Sequence, residues 1–199
     1  MPKNHSLNHF HNFSNNIIYQ PELSDVIFYI PRTKTINAVN CRTIWNKLIK
    51  KNIMLQTIKY IETVYSNQYL IAADDIALNI ISFNFANNYT NLNLKGYLYI
   101  IRRNSITKKK NGYKNAIIGY NYLLYFKLFY KYSKEFNKNL NYFFYELKLN
   151  HKYLFILKDL NETKYISITI KFFNEILLKE KSNNQLKEYI QDLLSYFLK

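Results

Sequence analysis

The sequence predicts an α+β protein: two tandem small antiparallel-sheet domains, each with a packed helix and basic loops, behind a flexible N-terminal tail. Three observations lead there. Apolar residues alternate in short runs through both halves of the chain, the period of a half-buried strand. One segment near the C-terminus, Asn184 to Phe197, carries them at helical spacing instead. Between the halves, Arg102 to Lys114 gathers cations, polar residues and an Asn-Gly pair, the composition of a turn.

Met1 to Leu23 is polar, rich in Asn and His, and aperiodic, so residues 1–24 are expected to form a tail that orders only on a partner. The first α+β domain covers residues 25–105. It opens with a short strand, Val26 to Ile30, stopped by Pro31. Thr43 to Tyr65 places Ile44, Leu48, Ile49, Ile53, Ile58, Ile61 and Tyr65 near helical spacing, while its Ile, Thr and Tyr content leaves a helix-then-strand split open. Asp75 to Phe85 and Asn93 to Arg103 alternate as strands do. Asp74 and Asp75 suit a helix cap better than an acid pair, because adjacent side chains point apart.

The second α+β domain, residues 106–199, begins in the Arg102–Lys114 loop, where Asn111-Gly112 favours a tight turn. Asn115 to Tyr132, Leu140 to Leu149, Tyr153 to Leu157, Lys164 to Phe172 and Glu175 to Leu178 follow as strand-like runs. The closing helix puts Leu186, Ile190, Leu193 and Phe197 on one face, with Ser182 or Asn183 as its cap.

Charge narrows the function. Lys and Arg number 28 against 13 Asp and Glu, a formal net charge of +15. Like charges repel in a compact state, so such a chain suits a polyanionic partner, either nucleic acid or an anionic membrane surface. A merely basic protein from a lysine-rich proteome is the plainer alternative. The charge is uneven: Ile101 to Lys158 holds 13 Lys and Arg with only Glu135 and Glu146 as acids. A hydrophobic fraction of 48% argues against wholesale disorder.

The 20 Tyr and 14 Phe, against 3 Gly and 3 Pro, carry the stamp of an AT-rich gene. No run of about 18 apolar residues spans a bilayer, since Ala116 to Tyr132 is interrupted by Lys127 and Lys131. The single cysteine, Cys41, excludes a disulfide framework and a thiolate metal site. A secretory signal is absent and the first arginine is Arg32, unlike an organelle transit peptide. Together these features suggest a protein encoded and used inside a mitochondrion.

Arg102, Arg103, Lys108, Lys109, Lys110 and Lys114 are the first RNA-contact candidates, with cations for phosphates and neighbouring Asn, Ser, Thr and Tyr for riboses. The plainer reading is a solvated hairpin tip. Lys127 and Lys131 alternate with Tyr120, Tyr122, Tyr125, Tyr130 and Tyr132, an arrangement able to stack on bases, although core packing accounts for most of those rings. His151 and Lys152 sit at a turn where contact with RNA backbone and a purely structural role weigh equally.

Catalysis finds no support. His5, His9 and His11 lie on the tail rather than on an ordered metal frame. His151 is the only other histidine, so no Ser-His-Asp set exists, and the three glycines form no phosphate loop. No enzyme activity, cofactor, metal or small-molecule substrate is expected.

Gly119-Tyr120, Tyr130-Lys131, the segment Leu147 to Tyr153, and then Ile166, Glu175, Ile176, Leu178, Lys179, Asp192, Leu193 and Tyr196 together resemble the second domain of the ribosomal protein L-six family of the large subunit. The similarity covers residues 116–196. Lys127 and Phe129 stand where that family has glycines, and Lys152 where it has proline. The resemblance implies a sheet-and-helix fold and a structural role in an organellar large ribosomal subunit. It implies large-subunit ribosomal RNA and neighbouring ribosomal proteins as partners, with Lys131, His151 and Lys152 among the RNA contacts. Two alternatives stay open: a soluble-side subunit of an inner-membrane energy complex, and a small-subunit ribosomal protein.

Overall fold

A computed structural model describes residues 18–19, 48–65, 73–89, 112–136 and 140–199. These residues are overwhelmingly helical, which overturns the expected α+β fold of two antiparallel-sheet domains. The only strand pairing among them joins β1 (Ile18–Tyr19) to β2 (Asn88–Tyr89), antiparallel and two residues long on each side. The expected strands at Val26–Ile30 and Asn93–Arg103 lie outside the described residues.

The chain divides into two units, one of Met1–Tyr60 with Leu78–Tyr99, the other of Ile61–Ala77 with Ile100–Lys199. In the first, most of helix α1 (Lys51–Tyr65) accompanies most of helix α2 (Asp74–Phe85). Tyr60 and Phe85 meet edge to face at 6.5 Å. Helix α2 replaces the alternating strand expected at Asp75 to Phe85. Successive residues Asn79, Ile80, Ile81, Ser82 and Phe83 are all buried, and a segment covered on every side loses the one-sided pattern that identifies a helix. Asp74 and Asp75 occupy the first turn of α2, where carboxylates favour the helix dipole.

The second unit is built on helix α3 (Gly112–Glu135), followed by α4 (Leu140–Asn150), α5 (Lys152–Asp159), α6 (Thr163–Lys179) and α7 (Asn184–Leu198). Cross-helix pairs fix the directions. Phe129 and Phe126 face Phe143, Tyr125 bonds Glu146, Tyr122 stacks on Tyr153, and Gly119 abuts Leu157. As the chain descends α3, its partners ascend, so α4 and α5 form one broken return leg antiparallel to α3. Helix α6 runs parallel to α3, since Tyr120 meets Tyr165 and Tyr130 meets Phe172. Helix α7 runs parallel to the return leg, with Phe144 against Tyr189 and Phe155 against Tyr196. The result is an up-down-up-down four-legged bundle whose second leg is broken.

Every expected strand of this unit is helix, and its core explains why. Leu123, Tyr125, Phe126, Leu128, Phe129, Tyr130 and Tyr132 are all buried, which leaves only a narrow, partly covered edge at Lys127 and Lys131 along the middle of α3. Buried polar residues also fit a helix. Asn121, Ser133 and Thr169 each donate from the side chain to the carbonyl four residues back, at 2.8 Å. Lys164 to Phe172 and Glu175 to Leu178, expected as two strands, are one helix burying Thr169, Phe172, Phe173 and Ile176 on one face.

Helix α7 is as the periodicity indicates. Leu186, Ile190, Leu193 and Phe197 are buried, and the Asn183 side chain accepts from the Leu186 amide at 3.0 Å. Between α5 and α6 the chain turns through Asn161, whose φ is 54°. The Glu162 amide returns to the Leu157 carbonyl and the Asn161 amide to the Lys158 carbonyl, a Schellman ending in which Asn takes the left-handed position.

Candidate nucleic-acid interface

Arg102, Arg103, Lys108, Lys109 and Lys110 lie outside the described residues. Lys114 stands in the first turn of α3, which begins at Gly112; Asn111, the other half of the expected tight turn, lies outside the described residues.

Lys127, Lys131 and Lys134 along α3 each lie near an acid. Lys131 donates to Thr63 Oγ1 at 3.2 Å and lies 3.5 Å from Glu135. Lys134 reaches Glu180 at 3.1 Å; that carboxylate is almost wholly buried and also accepts from the Tyr130 hydroxyl at 2.6 Å. Burial, then the Glu180 bond, pushes the Tyr130 hydroxyl well above the usual phenol range. Lys127 lies over the Phe172 ring at 6.0 Å; burial lowers its pKa, while Glu175 pulls the other way. Lys131, an expected RNA contact, is therefore engaged by Glu135 and Thr63 at the protein surface. Its ion pair is exposed enough to contribute little stability.

The rings interleaved with these lysines are mostly core. Tyr125, Tyr130 and Tyr132 are buried. Tyr122 and Tyr120 are half-buried and face partners in the bundle: Tyr122 lies parallel to Tyr153 at 4.0 Å, and Tyr120 lies 4.4 Å from Tyr165.

The junction of α4 and α5 differs. His151 is its single linking residue. Its amide bonds the Leu147 carbonyl and its carbonyl accepts from Leu154, each at 2.8 Å. That second bond is a tightened 3₁₀-type turn, which breaks the leg while holding its direction. His151 Nδ1 lies 2.9 Å from the Lys148 carbonyl and 2.8 Å from the Tyr189 hydroxyl. Both nearby contacts fall on Nδ1, and Nε2 has no partner among the described residues.

Two exposed lysines flank the junction. Lys148 sits 4.2 Å from the centre of the Phe144 ring and 5.6 Å from that of Tyr189; Lys152 sits 5.3 Å from that of Tyr153. Neither has an ion pair among the described residues. Lys158, further along α5, is committed: it lies 4.5 Å from the Tyr196 ring and donates to the Tyr196 carbonyl at the end of α7.

The structure thus brings His151 and Lys152 together, separates Lys131 from them by its own partners, and adds Lys148 and Tyr189. The sequence carried a signal for Lys148. Phe144, Lys148 and Lys152 follow at i, i+4 and i+8, one face of a helix, but the segment was expected to be strand.

Among the described residues no group of three His, Cys, Asp or Glu side chains is placed to hold a metal, and no helix is long and apolar enough to cross a membrane. Compared with family models, curated proteins and solved structures, the chain matches none.

Proposed function

We propose that this chain is a non-catalytic RNA-binding protein of a ribonucleoprotein particle, specifically a structural protein of a mitochondrial ribosome. The observation that carries the reading is the excess of cations, +15 over 199 residues, with Lys148 and Lys152 left unpaired beside aromatic rings on the bundle surface. Cations without internal acids attract phosphates and release condensed counterions, the sequence-independent part of RNA affinity. A rigid helical bundle then gives RNA helices a surface to pack against.

Assignment to the large subunit, with its RNA and neighbouring ribosomal proteins as partners, came from the L-six resemblance. The sheet-and-helix fold implied by that resemblance is replaced by helices in the described residues of 116–196. The proposal therefore rests on charge and surface chemistry.

A salt-resolved density gradient of native mitochondrial extract tests it. Co-migration with ribosomal RNA, released by RNase or high salt, is expected, and the co-migrating subunit gives the finer assignment. Migration with a detergent-solubilised membrane complex, insensitive to RNase, would overturn it.

A further inference from the structure

We propose that the α4–α5 junction is a seat for unpaired RNA, in which Lys148 and Lys152 take neighbouring phosphates, His151 bonds a ribose or phosphate, and a base lies on Tyr189. This deepens the RNA-binding reading above and rests on it.

Four observations carry it. Lys148 and Lys152 are four residues apart across the His151 junction, where the leg breaks but keeps its direction, and both are exposed with no ion pair among the described residues. A pair so closely spaced suits successive phosphates of one strand, whereas a duplex is recognised by contacts spread across its wide minor groove. Lys148 rests on ring faces rather than on a carboxylate. Such an exposed cation–ring contact is weak, so a phosphate can draw the ammonium off and open the Tyr189 face to a base.

The third observation is the bond between the Tyr189 hydroxyl and His151 Nδ1, which fixes the angle of that half-buried ring before any ligand arrives. The fourth is the His151 ring itself. With Nδ1 accepting from Tyr189, Nε2–H donates to a phosphate or 2′-hydroxyl oxygen. With Nδ1–H donating to the Lys148 carbonyl, Nε2 accepts from the 2′-hydroxyl. Either tautomer therefore has a use on RNA, and the 2′-hydroxyl is the group that serves both.

The acids nearest in sequence on α7, Glu188 and Asp192, flank Tyr189.

The test is fluorescence anisotropy of the full chain with labelled 12-nucleotide oligouridine and oligoadenosine, a hairpin duplex and the DNA counterparts, over a salt series. The expected result is tighter binding to the single strands than to the duplex, and to RNA over DNA. Replacing both Lys148→Gln and Lys152→Gln should weaken single-strand binding about tenfold and reduce the salt slope by about 1.4, two phosphate contacts at 0.7 each. His151→Ala should narrow the RNA-over-DNA difference, and Tyr189→Leu should weaken oligoadenosine more than oligouridine. Lys131→Gln, already engaged by Glu135 and Thr63, should leave binding unchanged.

Should no RNA of any kind bind, the proposed function itself fails. Should RNA bind with a duplex preference, or single strands bind the double lysine variant undiminished, this seat is overturned while the broader reading stands. Both lysines are exposed, and the Gln variants retain the fold, checked by circular dichroism.

Discussion

Gly119→Ala is the sharpest probe of how the bundle closes, because two effects of known size oppose each other there. Gly119 lies inside α3, where alanine is intrinsically preferred by about 0.8–1.0 kcal/mol. On propensity alone the change would stabilise. A Cβ at this position, however, would stand 2.8 Å from the Tyr153 carbonyl oxygen, 2.8 Å from Leu157 Cγ and 2.9 Å from Leu157 Cδ2. Ordinary contacts lie at about 3.5–4.0 Å, so the surroundings must give by about 0.7 Å or more. Leu157 can change rotamer, but the Tyr153 oxygen is backbone, and moving it means moving α5 away from α3. Overpacking of this kind typically costs about 1–3 kcal/mol. The net expectation is a loss of about 1 kcal/mol, reaching about 2 if α5 cannot shift. Urea denaturation followed by far-ultraviolet circular dichroism measures it, with the exposed α6 change Asn174→Ala as a control that should gain a few tenths of a kcal/mol. A Gly119→Ala protein as stable as the parent, or more so, would refute the close approach of α3 and α5.

Three further outcomes follow from buried groups and the chain reversal. Burial raises the Tyr65 and Tyr132 hydroxyls far above the phenol range, so above pH of about 10 the unfolded chain ionises while the folded one stays protonated. Their contribution is fully present below that pH and is lost as pH rises, by about 1.4 kcal/mol per pH unit for each ring; denaturation midpoints from pH 9 to 11.5 should fall accordingly, and a flat profile would contradict the burial. The Tyr65 hydroxyl also has no hydrogen-bond partner among the described residues, so Tyr65→Phe should stabilise by about 1 kcal/mol in urea melts, whereas a loss would mean that the hydroxyl is bonded. At Asn161, with φ of 54°, Asn161→Val should cost about 1–2 kcal/mol while Asn161→Gly is neutral or stabilising, and equal stability of the two variants would count against the left-handed turn.

What the sequence made legible depends on how each helix is covered. Helix α7 is legible from its first residue to within one residue of its end, with Asn183 the one of the two expected caps that bonds, because it buries one face only and leaves Gln185, Glu188 and Ser195 exposed on the other. Helix α3 is hard to see because most of its circumference is buried, so aromatic and aliphatic residues occupy most angles, mimic strand alternation and leave only the narrow Lys127–Lys131–Lys134 edge as a helical signal. Its length was the better signal. Asn115 to Tyr132 runs far beyond a strand of about 4–8 residues with no proline and no turn pair. In α6 the buried set Thr169, Phe172, Phe173 and Ile176 has helical spacing, yet the surrounding Ile166, Ile168, Thr169 and Ile170 are the β-branched residues typical of strands. Tertiary burial overrode that propensity.

At the candidate site, His151 and Lys152 were singled out at a chain turn, which proves to be a junction between two helices. Lys148 and Tyr189 escaped notice because their partnership needs α7 to lie parallel to the broken leg, a long-range fact that no local pattern encodes. Lys131 looked equivalent to them, and only its contacts with Glu135 and Thr63 set it apart. Gly119 itself has a packing role in this fold, since a Cβ there would meet Tyr153 and Leu157 of α5.

Ultraviolet crosslinking of native particles, followed by mapping of RNA-bearing peptides from this chain, tests the central claim most directly. The account predicts crosslinks within residues 144–153 and at Tyr189, on one face of the bundle, and none at Lys131. Recovery of the intact chain from such particles with no RNA-bearing peptide would contradict it.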